Sequence, residues 1–553
     1  MSELDGSVYS KAINDRKKHV DAILNSKSFK KVVVAGPGTG KTFLFRKILE
    51  GKKNSLTLTF INSLVEDLSL ELYGMSDVKT LHSFARSTLS AVKSRSINIF
   101  PKLTNVIKED TQYILRKEVD FEYLFHNRKD NDELLQFYKK RVDYYNYYGY
   151  SSIIYALVKY FEKYRERIPS YDQILIDEFQ DFNKLEVSLI DLLSEKSSIL
   201  LAGDDDQALY EFKNASTRHI RERFGDDVPD YESFKLPFCA RCTQVIVDAT
   251  NDIIIAAKKF DFLDQRINKP FQYFHEKEKD KESEKYSTIG YKQIFASQIP
   301  WFIEKKISEM AKDLRNKFSV LIISPYRKQS NFIAEALKKK GMQNIECKIK
   351  DEKEVSLLDG FKLLLNNIND NLGWRIVSKY LLSNDDFSTL LSATYSNSSK
   401  MIYEIVDKDF KKEVKSILKI LKKIKDKKPI DNDEFIDIMK KINIDPYAIL
   451  NEFAREKINN VFQPVGIPAI RKIPIKTTTI QSSKGLSGDL VFITHFDDRY
   501  FIKDNDKTKN TDRDICNFLV ALTRTKKKVY LISSVQKYPT FLQWINKDRI
   551  EEI

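Results

Sequence analysis

The stretch that decides the fold is Lys31-Val-Val-Val-Ala-Gly-Pro-Gly-Thr-Gly-Lys-Thr42, with Phe-Leu-Phe-Arg following it. An apolar run of strand type ends in a glycine-rich loop, and a helix starts directly after the loop. This arrangement turns backbone N–H groups towards phosphate oxygens, and its glycines allow a close approach. We therefore predict a triphosphate-binding loop composed of Ala35, Gly36, Pro37, Gly38, Thr39, Gly40, Lys41 and Thr42.

A second motif supplies the carboxylates that a nucleotide loop needs. Asp177 and Glu178 directly follow the apolar run Ile174-Leu-Ile176. In phosphoryl transfer one carboxylate holds Mg²⁺ and another orients or deprotonates the attacking water. We assign the metal to Asp177 together with the Thr42 hydroxyl, the water to Glu178, and the β/γ-phosphates to Lys41. The two motifs together predict a nucleoside triphosphatase.

Further apolar runs favour an α/β architecture with two separate parallel sheets, because short buried strands alternate with helical stretches. The additional runs are 199–202, 320–323, 490–493 and 529–532. Residues 85–165 and the lysine-rich residues 345–467 are helical in period, and we expect them to be insertions. The spacing of Val414 to Ile424 is typical of an amphipathic packing helix, with contact to DNA or a membrane as the alternative. Residues 276–285 are predicted to be a solvated loop.

Composition narrows the class of protein. The 553 residues include 93 Lys and Arg against 79 Asp and Glu, a net charge of +14, which favours a polyanionic partner, nucleic acid first and a membrane surface second. Apolar residues make up 42%, so wholesale disorder is excluded. A polar N-terminus, four cysteines and no long apolar run lead us to expect a soluble cytoplasmic protein that spans no membrane. Cys239 and Cys242 form a lone CxxC, so neither zinc nor an iron–sulfur cluster is expected.

An ordered set of segments accompanies these motifs. They are Leu58-Thr-Phe60-Ile-Asn62, Thr80-Leu-His82-Ser83-Phe84, Asp177-Glu-Phe-Gln-Asp181, Gly203-Asp-Asp-Asp-Gln207-Ala-Leu-Tyr210-Glu-Phe212-Lys213-Asn-Ala215, Leu236-Pro-Phe-Cys-Ala-Arg241, Thr479-Ile-Gln481-Ser-Ser-Lys484-Gly485-Leu486 and Val520-Ala-Leu-Thr523-Arg524-Thr525. With this set the chain resembles the UvrD/Rep-like branch of superfamily 1 DNA helicases. The resemblance covers residues 31 to about 535.

The resemblance implies an architecture of two RecA-like lobes, with ATP and Mg²⁺ in the cleft between them. It implies that Gln207 senses the γ-phosphate, that Arg241 and Arg524 act as arginine fingers, and that Gly485 lies near the nucleotide. The residues that it assigns to single-stranded DNA are Phe60, Asn62, His82, Tyr210, Phe212, Lys213 and Gln481. The implied boundaries are 1–84, 166–238, 239–344 and 468–553 for the lobe segments, with insertions at 85–165 and 345–467.

The sequence departs from the family at the base of the nucleotide. Residues 1–30 contain no glutamine, Ala240 replaces the tyrosine that stacks on adenine, and Ser487 replaces a glutamate. Phe238 is a possible substitute for the tyrosine, and ATP remains the expected nucleotide.

The function implied by the resemblance is an ATP-dependent helicase or translocase that moves 3′→5′ on single-stranded DNA and acts at duplex junctions. The alternative is a DNA-stimulated ATPase that senses or regulates a separate nuclease or other effector in a repair or anti-phage defence complex. A loading protein is a further candidate partner. About 30 residues follow the last motif, so we expect no nuclease activity in the chain itself.

Overall fold

The computed structural model describes residues 6–60, 62–209, 214–314, 317–342, 344–347, 354–426, 428, 435–436, 440, 473–502 and 511–553. The chain divides into two compact units. One unit contains Met1–Ala85, Ala156–Lys350 and Gly466–Ile553, and the other contains Arg86–Tyr155 and Asp351–Val465. The first unit holds both large sheets, and the second unit is helical.

Fifteen strands are found in the described part of the chain. They are β1 Lys30–Ala35, β2 Ser55–Thr59, β3 Asp77–Thr80, β4 Gln173–Ile176, β5 Ile199–Gly203, β6 Glu232–Leu236, β7 Phe238–Cys239, β8 Gln272–Tyr273, β9 Ile289–Gln293, β10 Val320–Ser324, β11 Ile345–Cys347, β12 Ile475–Thr479, β13 Gly488–Thr494, β14 Thr525–Ser533 and β15 Ile550–Glu552. The six apolar runs singled out in the sequence lie in β1, β4, β5, β10, β13 and β14.

Two large sheets are parallel throughout. The first has the order β3-β2-β4-β5-β1-β6, and the second has the order β11-β12-β10-β13-β14-β9-β15. β7 and β8 form a small parallel pair of their own. The predicted α/β class with two parallel sheets and helical segments is confirmed, and it fits two RecA-like lobes. The domain boundaries read from the sequence stay a prediction.

Helices pack against the sheets and fill the second unit. Their bounds are α1 Gly6–Asn25, α2 Lys41–Leu49, α3 Asn62–Glu71, α4 Leu81–Lys93, α5 Leu103–Leu115, α6 Phe121–His126, α7 Glu133–Tyr145, α8 Tyr150–Lys163, α9 Lys184–Leu193, α10 Arg218–Arg221, α11 Gln244–Lys259, α12 Lys277–Lys285, α13 Ile299–Leu314, α14 Arg327–Lys339, α15 Leu357–Asn366, α16 Asn371–Leu381, α17 Asn384–Ser396, α18 Ile402–Ile405, α19 Lys408–Lys425, α20 Asp498–Phe501, α21 Thr511–Leu522 and α22 Thr540–Gln543. None of the helices in the described ranges is long and apolar enough to cross a membrane.

A buried ion cluster joins the two chain segments of the helical unit. Asp110 of α5 accepts from Arg141 Nε of α7 at 2.8 Å, and its other oxygen lies 2.8 Å from Arg375 Nη2 of α16. Burial raises the pKa of Asp110, but the two guanidinium groups outweigh burial and hold that pKa below its ordinary value. Because a buried carboxylate requires such partners, the cluster fixes how 86–155 packs on 351–465 within this unit.

The sequence predicts an amphipathic helix around residues 414–424 and a solvated loop at residues 276–285. In α19, Val414, Ile417 and Leu421 are buried, as expected for an amphipathic packing helix. The loop predicted for residues 276–285 is wrong, because residues 277–285 form α12. Lys281 pairs with Glu278 at 3.3 Å, and i,i+3 pairs of this kind between good helix formers favour a helix despite the polar composition.

Candidate nucleotide-binding site

The phosphate loop connects β1 to α2 and uses backbone conformations that require glycine. Gly38 has φ +70° and Gly40 has φ +96°, both in the left-handed region. A Cβ on Gly38 would lie 2.3 Å from the Cβ of Arg241. The Thr39 hydroxyl donates to the Gly36 carbonyl at 2.9 Å and closes the loop on itself. Lys41 and Thr42 form the first turn of α2.

Predicted residues gather at the carboxyl edge of the first sheet. Thr59, the last residue of β2, is in register with Thr80, the last residue of β3. Phe60 follows β2 and His82 follows β3, so both lie at the same edge of the sheet. Asp177 follows β4 at this edge, and its N–H donates to the Leu58 carbonyl at 2.9 Å. Parallel sheets bind ligands at this edge, so the strand order alone brings the phosphate loop and the carboxylates together.

Lys41 forms a buried ion cluster with the two carboxylates. Its Nζ lies 3.1 Å from Glu178 Oε1 and 3.8 Å from Asp177 Oδ1. Burial raises the pKa of Asp177 to about 6, and the adjacent Glu178 charge adds to the rise while Lys41 opposes it. Burial also acts on Glu178, but Lys41 and Lys484 outweigh it and hold the pKa of Glu178 well below its ordinary value. Glu178 is therefore the more acidic member of the pair and stays ionised to a lower pH than Asp177.

Lys484 brings a positive charge from the second sheet into this cluster. It follows β12, and its Nζ pairs with Asp181, donates to the Gln207 carbonyl at 2.8 Å and lies 3.4 Å from Glu178 Oε2. Burial raises the pKa of Asp181 to about 6, and the Glu178 charge adds to the effect against the attraction of Lys484. The ammonium of Lys484 thus joins the second sheet to the carboxylates of the first.

Gln207 and Arg524 form a second link between the two sheets. Gln207 Nε2 donates to Asp204 Oδ2 at 2.7 Å, while its Oε1 accepts from Arg524 Nη2 at 2.7 Å. Arg524 also donates from Nε to the Val520 carbonyl at 3.0 Å and is only 3% exposed. Burial, together with the positive charge of Arg241, lowers the pKa of Arg524 to about 10. The two arginines are thus close enough to repel each other.

Arg241 lies directly against the phosphate loop. The preceding Ala240 donates its N–H to the Gly38 carbonyl at 3.0 Å, and Lys279 donates to the Arg241 carbonyl. The small β7–β8 sheet carries this segment, because Arg241 follows β7 by two residues. Thr243, two residues further on, donates its N–H to the Lys526 carbonyl of β14 at 3.2 Å, which ties this segment to the second sheet. The roles of both arginines stay a prediction.

Three consecutive aspartates after β5 form a cluster that the sequence did not predict as a site. Lys269 pairs with all three, with Nζ 2.7 Å from Asp204 and 3.0 Å from Asp206. Arg266 adds a hydrogen bond from Nε to Asp206 at 2.8 Å. The carboxylates outweigh burial and raise the pKa of Lys269 above its ordinary value. A cation of the protein itself fills the centre of this group, so it is an ionic link between residues 204–206 and 266–269.

The oxygen donors assigned to Mg²⁺ fit that ion. Thr42 offers a hydroxyl from the first turn of α2, and Asp177 offers a buried carboxylate whose neighbour Glu178 supplies a second negative charge. Mg²⁺ prefers hard oxygen ligands and binds with one or two carboxylates and phosphate oxygens. Because Lys41 now neutralises these carboxylates, the cluster is already built to hold positive charge.

The structure describes four of the seven residues assigned to DNA, and their role stays a prediction. Phe60 lies edge-to-face on Phe182, with 5.8 Å between ring centroids. His82 lies in the first turn of α4, and Gln481 begins a 3-10 turn after β12. α3 begins at Asn62, and Gly485 has φ +81° in the loop after that 3-10 turn. The remaining three predicted contacts, Tyr210, Phe212 and Lys213, lie outside the described residues.

Two parallel sheets with a glycine-rich phosphate loop on one and basic side chains from the other define a P-loop protein of RecA-like architecture. Residues 101–228 match the family of the UvrD/REP helicase N-terminal domain. The resemblance to UvrD/Rep-like superfamily 1 helicases is thereby confirmed.

Several DNA helicases are similar to this chain in sequence, at low identity. Over 94 residues the chain is 37% identical to DNA helicase II of Escherichia coli, which covers 17% of the chain and 12% of that protein. Over 449 residues it is 23% identical to the ATP-dependent DNA helicase PcrA of Staphylococcus epidermidis, which covers 70% of the chain and 59% of PcrA. The PcrA of Staphylococcus aureus is 22% identical over 450 residues. The chain thus spans less than two thirds of the length of these relatives.

Sequence reasoning missed several side chains of the site. Lys484 was quoted in a motif but given no role, although its position between Gly485 and a strand end could have suggested one. Asp181 likewise stands three residues after Glu178 in the same segment, and a third carboxylate there could have been predicted to lie near the site. No pattern in the sequence marked Lys269, because a lone lysine before a proline is ordinary in a loop, and only the folded chain brings it to residues 204–206.

Proposed function

We propose that this chain is an ATP-dependent motor that translocates 3′→5′ on single-stranded DNA and separates duplex at a junction. The observation that carries the proposal is the continuous set of contacts from Lys41 through Glu178 and Lys484 to Gln207 and Arg524. Because these contacts are continuous, a shift of Lys41 towards a bound phosphate would change the contacts that Glu178 and Gln207 make with the second sheet. A motor requires this coupling between its nucleotide site and the relative position of its two sheets.

The chain's own residues divide the chemical work. Lys41 would leave Glu178 and bind the β/γ-phosphate oxygens, since a triphosphate offers it more negative charge. Glu178, kept ionised by Lys484, is the group able to accept a proton from the attacking water. Thr42 and Asp177 would hold Mg²⁺, which supplies neutralisation of phosphate charge when bound.

Arginines from the second sheet would complete the site. Arg524 and Arg241 are charged, planar donors on the far side of the cleft, where they can stabilise the negative charge that develops on the transferred phosphoryl group. The Cβ of Arg241 lies against Gly38 of the phosphate loop, so movement of the Arg241 segment would change the space beside that loop. Displacement and return of this segment would open and close the cleft in each cycle.

Single-stranded DNA is the proposed substrate because of the net positive charge and the aromatic and polar residues that follow the strands at the edges of the two sheets. The net charge of +14 favours a polyanion. Aromatic side chains can stack on bases whatever the sequence, at about 1–3 kcal/mol per base, which suits a motor on arbitrary DNA. The proposed contacts among the described residues are Phe60, Asn62, His82 and Gln481, joined by Tyr210, Phe212 and Lys213.

Strand separation on tailed substrates tests the proposal. The full-length chain is mixed with ATP and Mg²⁺ and with 3′-tailed, 5′-tailed or blunt duplexes, and Lys41→Ala is the matched inactive control. We expect displacement of the 3′-tailed duplex alone and none by the control. Displacement of the 5′-tailed duplex alone would refute the polarity, and equal activity of Lys41→Ala would refute the motor. DNA-stimulated hydrolysis without displacement of any duplex would support the alternative, a DNA-responsive regulatory ATPase.

A further inference from the structure

A half-buried arginine of α1 lies on the phosphate loop. A Cβ built on Gly40 would lie 2.7 Å from Arg16 Nη2, so the guanidinium covers this glycine of the loop. Arg16 Cζ lies 4.9 Å from the ring centroid of Phe274 and 5.8 Å from that of Phe43. These two contacts place the cation over aromatic faces, which attract it through the negative charge of the ring face.

More rings extend this cluster away from the loop. Phe238 lies edge-to-face on Phe274, with 6.4 Å between ring centroids, and His19 lies edge-to-face on Phe238 at 5.9 Å. Phe43 is 49% exposed, although aromatic side chains usually gain most from burial. The loop is therefore flanked by a flat, partly exposed apolar surface with one cation on it.

The donors of this cation are not used by the described part of the protein. A guanidinium carries five N–H donors and no acceptor. Among the described residues the two ring contacts are the interactions found for Arg16, with neither a hydrogen bond nor an ion pair. Burial lowers the pKa of Arg16, and the nearby charge of Glu276 opposes that effect, yet Arg16 remains a cation at any physiological pH. A ligand at the loop therefore meets donors that have no acceptor.

We propose that Arg16, supported by Phe43 and Phe274, contacts the nucleotide base and makes this chain use GTP at least as efficiently as ATP. The inference rests on the proposed function, because it assigns the base of the triphosphate that the motor hydrolyses. The carboxylates around Glu178 mark the γ-phosphate end of the site. Arg16 lies outside that cluster with its guanidinium over two aromatic rings, and the half-exposed ring of Phe43 offers a face on which a base can stack.

Base chemistry explains the preference. Guanine presents two adjacent acceptors, O6 and N7, and an arginine can donate to both at once. Adenine presents the N7 acceptor beside the N6 amino donor, and that pair matches Gln or Asn, which carry both a donor and an acceptor. Facing Arg16, the amino group of adenine meets another donor. A bidentate pair of this kind discriminates bases by roughly five- to 150-fold.

The test compares kcat/KM for DNA-stimulated hydrolysis of GTP, ATP and 7-deaza-GTP, which lacks the N7 acceptor. We expect kcat/KM for GTP to equal or exceed that for ATP, and to fall about tenfold for 7-deaza-GTP. Arg16→Gln should shift the GTP-to-ATP ratio about tenfold towards ATP. Lys17→Gln, one position along the same helix and exposed, removes the same charge and should leave the ratio unchanged.

Two results overturn the inference without touching the motor proposal. One is strict use of ATP, with GTP at least 100-fold poorer. The other is an Arg16→Gln variant that loses activity equally with every nucleotide, which would make Arg16 a phosphate contact. Equilibrium binding of GTPγS and ATPγS by calorimetry separates the two proposals. Guanine preference in binding without hydrolysis would support the role of Arg16 and refute the triphosphatase, whereas adenine preference in binding would refute the role of Arg16.

Discussion

The raised pKa of Asp181 can be tested by measuring how many protons the protein releases when it unfolds. This carboxylate is 1% exposed, and its Oδ2 accepts from Lys484. Its Oδ1 is buried, and no hydrogen-bond partner for it is found among the residues that the structure describes. Because one oxygen is desolvated and uncompensated, the pKa of Asp181 rises from 3.8 to about 6. The substitution Asp181→Asn removes this titration and keeps the shape of the side chain.

The sign of the effect follows from the direction of the shift. A carboxyl whose pKa is raised on folding favours the folded state when protonated, so its contribution is fully present below pH 3.8 and is lost as the pH rises through about 6. The interval between the two values corresponds to about 3 kcal/mol of unfolding free energy. At pH 5 the folded group is mostly protonated and the unfolded group mostly ionised, so unfolding releases about 0.8 proton from Asp181.

Proton release is the assay, because it does not require two-state unfolding of a chain with two units. The protein is unfolded completely in urea at pH 5 in a pH-stat, and the protons released are counted for wild type and Asp181→Asn. We expect the variant to release about 0.8 proton fewer per chain. Asp227→Asn, an exposed carboxylate of the same unit, is the matched control.

Stability measurements give a second readout. Wild type should lose unfolding free energy between pH 5 and pH 7.5, and Asp181→Asn should lose less over the same interval. Equal proton release from wild type and variant at pH 5, with the same pH dependence of stability, would refute the reasoning. Asp181 would then be fully compensated by Lys484 and ordinary in its ionisation.

Three further substitutions test other parts of the molecule. Glu178→Gln should retain nucleotide binding and lower turnover by roughly 10²–10⁴-fold, measured by phosphate release; loss of binding would make Glu178 structural. Arg524→Ala should lower turnover by about 10³-fold or more with binding retained, and Arg524→Lys should not restore it because a single ammonium cannot replace the fork that holds Gln207; full activity of either variant would remove Arg524 from the site. Asp110→Asn should destabilise the helical unit by about 3–5 kcal/mol in calorimetry, because Arg141 loses its carboxylate partner and Arg375 keeps only Glu109, whereas Glu118→Gln on the exposed surface should have little effect.

Local sequence was sufficient for six of the strands, β1, β4, β5, β10, β13 and β14, and for the position of the glycine-rich loop. The run before Gly36 is buried on both faces of its strand, and left-handed glycines at 38 and 40 are what a tight loop before a helix requires. The carboxylates at 177 and 178 were predictable for the same reason, since a strand end determines where they lie. These features depend on a few neighbouring residues, and short-range patterns carry that information.

Contacts between distant segments could not be predicted in the same way. The ammonium of Lys269 meets residues 204–206 only because a loop after α11 returns to the first sheet, and no spacing in the sequence records that return. Nothing in the sequence marked Arg16, which meets the phosphate loop only in the folded chain. The helix at 277–285 was misread because its charges were counted as solvating, whereas their i,i+3 pairing stabilises a helix.

The strand order of the second sheet has a consequence for synthesis on the ribosome. Among the described residues, β9 pairs with β14 and β15, and β10 pairs with β12 and β13, so both early strands wait for partners translated after residue 474. The first sheet, by contrast, is complete once residue 236 has emerged. For more than 150 codons the nascent polypeptide therefore carries these two strands without the partners that they have in the folded sheet, a state in which chaperone binding and aggregation compete.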